Sequence, residues 1–414
     1  MIGERRINIL YCEGNTDGTV GGSYFSLLYL VSGLDRRRYN PIVIFHNEHP
    51  ILPRYHAAGI TTLIVPAYRP ITLLLKVPTT VRSIILPILK VVQKVLNFAN
   101  GFIGRSFRYS RMLRNHNIDI VHLNNSVIRN NDWMFGALLS KVPCVTHERG
   151  INDHYPRLSR MLSRQLKAII CISDAVRGNL LKHAVGKNNL VTIYNGIDPS
   201  TVIVDIDREA ILATYDIATD ARVIGVVGNI KMWKGQETLV RALPAILQDV
   251  PGLVCLLVGA TADSDQPYHN YLISLARELG VERHLRFTGY QMNVANFMNV
   301  MEVVVHTSIE PEPFGRVLIE AMSMGKPVIG ARAGAVTEIV DEGKSGLTFL
   351  PGDVKSLAGA LRHLLLRREE AHAMGRHGRA RLEANFDIRT NICKTEALYE
   401  MLLNSAQKPK RKPR

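Results

Sequence analysis

The stretch EPEPFGRVLIEAMSMG, residues 310–325, sets two glutamates and two prolines before a glycine and a helix-like run that carries a further glutamate, Glu320. Acids at a helix start are favoured by the exposed N–H groups and the macrodipole there. That accounts for Glu310 and Glu312 but not for Glu320, which sits among Val317, Leu318, Ile319, Ala321 and Met322. If the helix extends back to Glu312, the two carboxylates lie about 12 Å apart on roughly one side. Such a spacing is too long for a shared proton or metal and suits hydroxyl recognition at two ends of an extended ligand, such as a sugar and a ribose joined through a diphosphate. In VVGNIKMWKGQETL (226–239) a strand ends at Gly228 and a helix begins near Gly235 or Gln236, leaving Lys234 at its mouth. An ammonium is unfavourable beside a helix N-terminus unless an anion lies between them, and a phosphate would serve. The paired Gly21 and Gly22 of GGS allow a backbone and a helix start to approach an anion closely. AGA at 333–335 offers another small-residue turn ahead of Thr337 and Glu338.

The elements that must position these groups alternate. Strand-like RINILYC, NPIVIFH, TTLIVP, IDIVHLN, VPCVTHE and AIICIS occupy the first half, with a helix starting near Tyr24. After YNGIDPSTVIVDID the alternation restarts with RVIGVVGNI, a helix QETLVRALPAILQDV, strand GLVCLLVGA, helix YLISLAREL, strands LRFTGY and EVVVHTS, helix GRVLIEAM and strand KPVIGA. Alternating strands and helices predict parallel sheets covered by helices. Two doubly wound α/β halves follow, with the boundary at about 196–220 and ligands at the carboxyl ends of the strands. Two such domains facing each other would set those ends on either side of one cleft. The expected divisions are residues 1–200 with a basic insertion at 70–115, 201–385, a helix at 386–404 packing back toward the N-terminal domain, and a basic tail at 405–414.

At 414 residues, 46% hydrophobic and 21% charged, the composition is that of a globular protein large enough for two cores. There is no apolar run of about eighteen residues, and MIGERRINILYC lacks a signal-peptide pattern. A cytoplasmic location is expected, peripheral on the inner face of the cytoplasmic membrane being one form of it. Five scattered cysteines are expected to be reduced thiols. The net charge of +15 calls for an anionic partner. From His49 to Ile118 there are ten Lys or Arg and no Asp or Glu. Within that region VRSIILPILKVVQKVLNFAN laid on a helix puts Ile84, Ile85, Ile88, Val91, Val92, Val95, Leu96 and Ala99 on one side, opposite Arg82, Lys90, Gln93, Lys94 and Asn97. Pro87 is expected to interrupt or kink it. This basic amphipathic helix either packs its apolar side on its own domain or rests, with the neighbouring ITLLLK, in the headgroups of an anionic membrane. No RNA-binding signature or aromatic platform accompanies it, so nucleic acid is not the expected partner.

Taken together, E-x7-E at Glu312 and Glu320, GGS, CIS at 171–173, YNGID at 194–198, GNIKMWKG at 228–235 and AGAVTEIVDEGKSGLTF at 333–349 resemble a retaining glycosyltransferase of family 4 with the GT-B fold, over nearly the whole chain. The resemblance implies two Rossmann-like domains facing a central cleft and transfer of a sugar from a UDP- or GDP-sugar to a hydroxyl of a glycan or lipid-linked acceptor, in cell-surface polysaccharide or lipopolysaccharide assembly. Glu320 would hold the ribose hydroxyls. Glu312 would contact the transferred sugar, with Phe314, Gly315 and Arg316 helping through their backbone. Lys234, with Gly21 and Gly22, would face the diphosphate and stabilise the leaving group. Where many relatives carry an arginine this chain has Asn229, so neutralisation would lean on Lys234 together with Arg149, Arg316 or Arg332. Where relatives often read H-x-H this chain reads His122-Leu123-Asn124, making His122 the first choice beside the reacting sugar, with Asn124, His147, Glu148 and Arg149 as further acceptor-side residues. No metal or cofactor is expected, and the D-x-D patterns Asp205/Asp207 and Asp263/Asp265 read as solvated acids. The alternatives are a nucleotide-sugar epimerase on the same scaffold and a nucleotide-sugar-binding protein without catalysis.

Overall fold

The computed structural model describes residues 5–14, 22–73 and 82–407. Gly21, part of ITLLLK and the tail from 408 lie outside the described residues. The chain divides into two compact units, one of residues up to 172, 176–193 and 392 onward, the other of 173–175 and 194–391. Residues 194–200, drawn above with the N-terminal half, fall in the second unit. There Tyr194 lies against Phe314 and Phe386, and Ile197 bridges Asp387.

The first unit holds seven parallel strands: β1 (Ile7–Glu13), β2 (Tyr39–Phe45), β3 (Thr61–Ile64), β4 (Ile120–Asn124), β5 (Cys144–Glu148), β6 (Ala168–Cys171) and β7 (Leu190–Thr192), in the order β3-β2-β1-β4-β5-β6-β7. The second holds six: β8 (Arg222–Val227), β9 (Leu253–Val258), β10 (Leu285–Gly289), β11 (Val303–His306), β12 (Val328–Ala331) and β13 (Gly346–Phe349), in the order β10-β9-β8-β11-β12-β13. Strands such as LVCLLV are buried along their whole length, as a parallel sheet covered on both faces requires. The edge strands β7 and β13, three and four residues long, were not expected from the sequence because neither carries a sustained apolar run. In each sheet the strand order reverses once, between β1 and β4 and between β8 and β11. Connections leave that point in opposite directions, which opens a crevice at the carboxyl ends.

Helices complete each layer. In Gln236–Leu247, Leu239, Val240, Leu243 and Ile246 recur on one face and are buried in the core beside β8 and β9. Burial of each contributes about 1.5–3 kcal/mol. The helix Ile388–Gln407 is counted with the first unit from residue 392, where Tyr399 is wholly buried and Glu396 accepts from Asp35 N at 2.9 Å.

The basic amphipathic helix forms over Arg82–Phe98, running through Pro87, and continues as a π-helical turn Ala99–Gly104 and the helix Arg105–Asn115. The side it turns to the protein is not the apolar one. Asn97 accepts from Tyr68 Oη and Ile71 N, both at 2.7 Å, and donates to Ile71 O at 3.0 Å, while Gln93 accepts from Leu73 N at 2.9 Å. Residues 68–73 have no strand partner, so their backbone groups take these side-chain amides instead.

Candidate active site

In the second unit the crevice at β8 and β11 is furnished by two loops. After β8 the chain turns through Met232–Lys234 into the helix Gln236–Leu247. Gly235 makes that turn at φ 63°, and a Cβ there would come within 2.2 Å of Thr307 O, so only glycine fits. Thr307 Oγ1 in turn donates to Lys234 O at 2.6 Å. After β11 the chain bends on its way to Gly315, and within it Glu312 bridges Gly334 while Ala335 N donates to Glu312 O at 2.8 Å. Gly334, at φ 61°, would set a Cβ 2.2 Å from the same oxygen.

These two loops bring Lys234 and Glu312 into contact. Lys234 Nζ donates to Glu312 Oε2 at 2.9 Å, and the same oxygen meets His306 Nε2 at 3.0 Å and Ser308 Oγ at 3.3 Å. Lys234 Nζ also lies 4.1 Å from the centre of the Trp233 ring. Burial, the largest influence on Glu312, raises its pKa. The His306 hydrogen bond and the Lys234 charge outweigh burial and hold the carboxyl well below its ordinary value. Glu312 is therefore a fixed anion, and it supplies from within the chain the negative charge that the lysine at the helix mouth demanded. The expectation of a helix reaching back to Glu312 is corrected. The helix spans Arg316–Ser323, because Gly315, at φ 86°, precedes it in the left-handed region and Glu312 belongs to the bridge with Gly334.

Glu320 lies one turn into that helix, and Arg316 Nη2 donates to it at 2.8 Å. Both are partly exposed, at about a fifth of their side-chain surface, so each keeps room for a ligand. Phe314 is buried against Tyr194 and Phe386. Among the described residues the N–H groups of Phe314 and Gly315 have no acceptor. Asn229 is exposed after β8, its carbonyl accepting from Gln236 Nε2 at 3.0 Å. Arg332, away from this cluster, binds Thr348 Oγ1 at 2.8 Å and Glu342 at 3.6 Å. Asp205 is tied to Asn293 and Asn296 rather than simply solvated. Among the described residues no group of three or more His, Cys, Asp or Glu is arranged to hold a metal ion.

In the first unit the carboxyl ends of β1, β4 and β5 carry a second polar cluster. Asn124 donates to Glu13 at 2.6 Å and accepts from Arg149 Nε at 2.7 Å. Glu148 is fully buried and accepts from Ser126 Oγ and Val127 N at 2.9 Å and from Asn152 Nδ2 at 3.1 Å. Burial pushes it up to about 7 despite those donors. Gly22 starts the helix Gly22–Gly33 and is exposed.

His122 lies in the core of the first unit. It has no exposed surface, its Nε2 meets His147 Nδ1 at 2.7 Å and its Nδ1 is bonded to Tyr399 Oη. Burial, then the Arg149 charge, holds both imidazoles neutral. Both ring nitrogens of His122 are thus taken up by protein partners. His122 and Asn124 share one face of β4, and Asn124, two residues on at the carboxyl end of the strand, meets the polar cluster of Glu13 and Arg149. Sequence reasoning passed over Glu13, His306 and Ser308. Each ends or follows a core strand at a switch-point edge, in ILYCE and VVVHTS, and that position was the available signal.

Two family models match the chain, Glycosyltransferase Family 4 over residues 20–201 and Glycosyl transferases group 1 over 207–381. Among curated proteins, the N-acetyl-alpha-D-glucosaminyl L-malate synthase of Bacillus anthracis is 29% identical over 250 residues, 60% of this chain and 64% of that protein. The lipopolysaccharide core biosynthesis glycosyltransferase LpsE of Rhizobium meliloti is 26% identical over 52% of this chain and 58% of that protein. The chain thus spans about six-tenths of the length of these relatives. Among solved structures, HepE of Anabaena in complex with UDP and glucose superposes with a TM-score of 0.76 at 22% identity, covering 96% of this chain and 100% of that one. With one model matched to each half and the GT-B fold shared throughout, the chain belongs to the group 1, family 4 glycosyltransferases.

Proposed function

We propose that the protein transfers a sugar, with retention and without a metal ion, from a UDP- or GDP-sugar to a hydroxyl of a glycan or lipid-linked acceptor in cell-surface polysaccharide or lipopolysaccharide assembly. The observation that carries this is the Lys234–Glu312–His306 cluster at the β8/β11 switch point, flanked by the N–H groups of Phe314 and Gly315, which have no acceptor among the described residues. Glu312, kept ionised, accepts from hydroxyls of the transferred sugar. Lys234 supplies positive charge to the diphosphate as the bond from the anomeric carbon to the diphosphate oxygen breaks, which is the role a metal would otherwise take. Glu320 accepts from the ribose hydroxyls, with Arg316 holding its carboxylate in place. A retaining mechanism through a covalent intermediate needs a carboxylate about 5 Å from its partner acid. Glu312 is instead occupied by Lys234 and His306, which favours front-face attack: the acceptor oxygen bonds the anomeric carbon on the face the diphosphate leaves, and its proton passes to a departing phosphate oxygen.

The relatives favour this reading in kind. HepE is a complex with UDP and glucose, and LpsE is named for lipopolysaccharide core synthesis. A thermal-shift panel of UDP, GDP, ADP, CMP and their sugars tests it, because a ligand that binds only the native state raises the midpoint as RT ln(1 + [L]/Kd). Stabilisation by one diphosphate nucleotide that is lost in Glu320→Ala supports the assignment. Turnover of the stabilising sugar nucleotide without any acceptor, to an isomer, would instead establish an epimerase, and insensitivity of transfer to EDTA checks the absence of a metal requirement.

A further inference from the structure

The helix Arg82–Phe98 exposes what a core helix hides. Ile88 and Val91 are each 63% exposed, Val95 60%, Phe98 52% and Val92 42%. At 100° per residue Ile88, Val91, Val92 and Val95 form one stripe, with Phe98 at its edge. The opposite side holds Gln93 and Asn97, whose amides are spent on residues 71–73 and Tyr68. The helix is thereby pinned by its polar face, and rotating it to bury the apolar stripe would break those hydrogen bonds. Exposed contiguous apolar patches of this kind mark interaction surfaces.

Charge selects the partner. Lys90 and Lys94 are exposed on the polar side of the helix, Lys94 nearer the stripe, and Arg69, Arg108 and Arg111 are exposed nearby in sequence. None of these five makes an ion pair among the described residues, and no acid occurs between residues 49 and 118. A protein surface with an apolar stripe, several unneutralised cations and no anion is matched to a partner that is apolar within and anionic at its rim. We propose that this helix docks in the plane of an anionic lipid bilayer, the stripe entering the acyl boundary and the cations meeting lipid phosphates. No helix among the described residues is long and apolar enough to cross a membrane, so the contact is peripheral. The proposal is independent of the transfer reading: it is measured without substrate.

Flotation of the full chain with phosphatidylcholine vesicles, and with the same vesicles containing phosphatidylglycerol, tests it. The wild type should float with the anionic vesicles only, and the double variant V91D/V95D should lose at least about tenfold in partitioning. Both positions are open to solvent, so its melting temperature should match wild type. K90E/K94E should weaken binding and flatten its dependence on added salt, because less of what remains is charge attraction that salt can screen. A V91D/V95D variant that floats like wild type overturns the proposal, as does binding that vanishes when residues 408–414 are removed while V91D/V95D leaves it intact. A wild type that ignores both vesicles overturns it too. If V91D/V95D then converts a dimer to a monomer on a sizing column, the stripe belongs to a second copy of this chain.

Discussion

Glu312, just past β11, and Glu148, the last residue of β5, both sit at the carboxyl edge of a parallel sheet, and both are largely buried. Their surroundings set them to opposite states. Glu312 faces an ammonium and an imidazole and stays ionised well below its ordinary range. Glu148 faces only neutral donors, a hydroxyl, a peptide N–H and an amide, and burial carries it up to about 7. Burial alone raises a carboxyl, and at Glu312 the His306 hydrogen bond together with the Lys234 charge reverses it. The second unit thus presents a fixed anion–cation pair suited to a charged donor, whereas the first presents a carboxyl that exchanges its proton near neutrality.

The sharpest way to break this contrast is Lys234→Ala, which should reduce kcat/KM for sugar transfer by about 10²–10³ if the ammonium stabilises the leaving diphosphate. An unchanged rate would reduce the cluster to a structural ion pair. Next is the pH dependence of stability. Folded Glu148 holds its proton more tightly than unfolded, so the folded state binds the extra proton between the ordinary 4.5 and about 7. Stability therefore falls as pH rises through that window and levels off above it, by up to about 3 kcal/mol. Urea midpoints of wild type and Glu148→Gln at about pH 5 and about pH 8 should show this slope in the wild type and a flat line in the variant. Glu312 has the opposite sign: its stabilisation holds above the ordinary carboxylate range and is lost as pH falls through its lowered folded value. His122→Phe should cost about 1–3 kcal/mol by leaving buried polar atoms of Tyr399 and His147 short of a partner, seen in the melting temperature, with kcat per folded molecule unchanged. The smallest effect is expected for Arg316→Ala, about 0.3–0.5 kcal/mol of stability for a part-exposed i, i+4 pair, while nucleotide-induced stabilisation falls because Glu320 loses its brace.

Much of this was legible in the chain. Period-2 and continuous apolar runs such as LVCLLV and VVVH mark parallel strands, and Gly235 and Gly334 mark turns that tolerate no Cβ. Lys234 at a helix mouth announces that an anion must be near, since the helix dipole makes a lone cation there unfavourable. Which anion, however, depended on β8 and β11 pairing as neighbours, a long-range fact that brings residues 234 and 312 together. The burial of His122 likewise depended on Tyr399, 277 residues away. The amphipathic helix is the clearest case: its sequence fixes a two-faced cylinder, but not which face meets the protein. That choice fell to the unpaired backbone of residues 68–73, which needed amides more than the helix needed to hide its valines. Local sequence thus settles periodicity, turns and charge, because these depend on neighbours along the chain. Partner choice and burial were decided by tertiary structure, because they depend on which distant groups the folded sheets bring within a few ångströms.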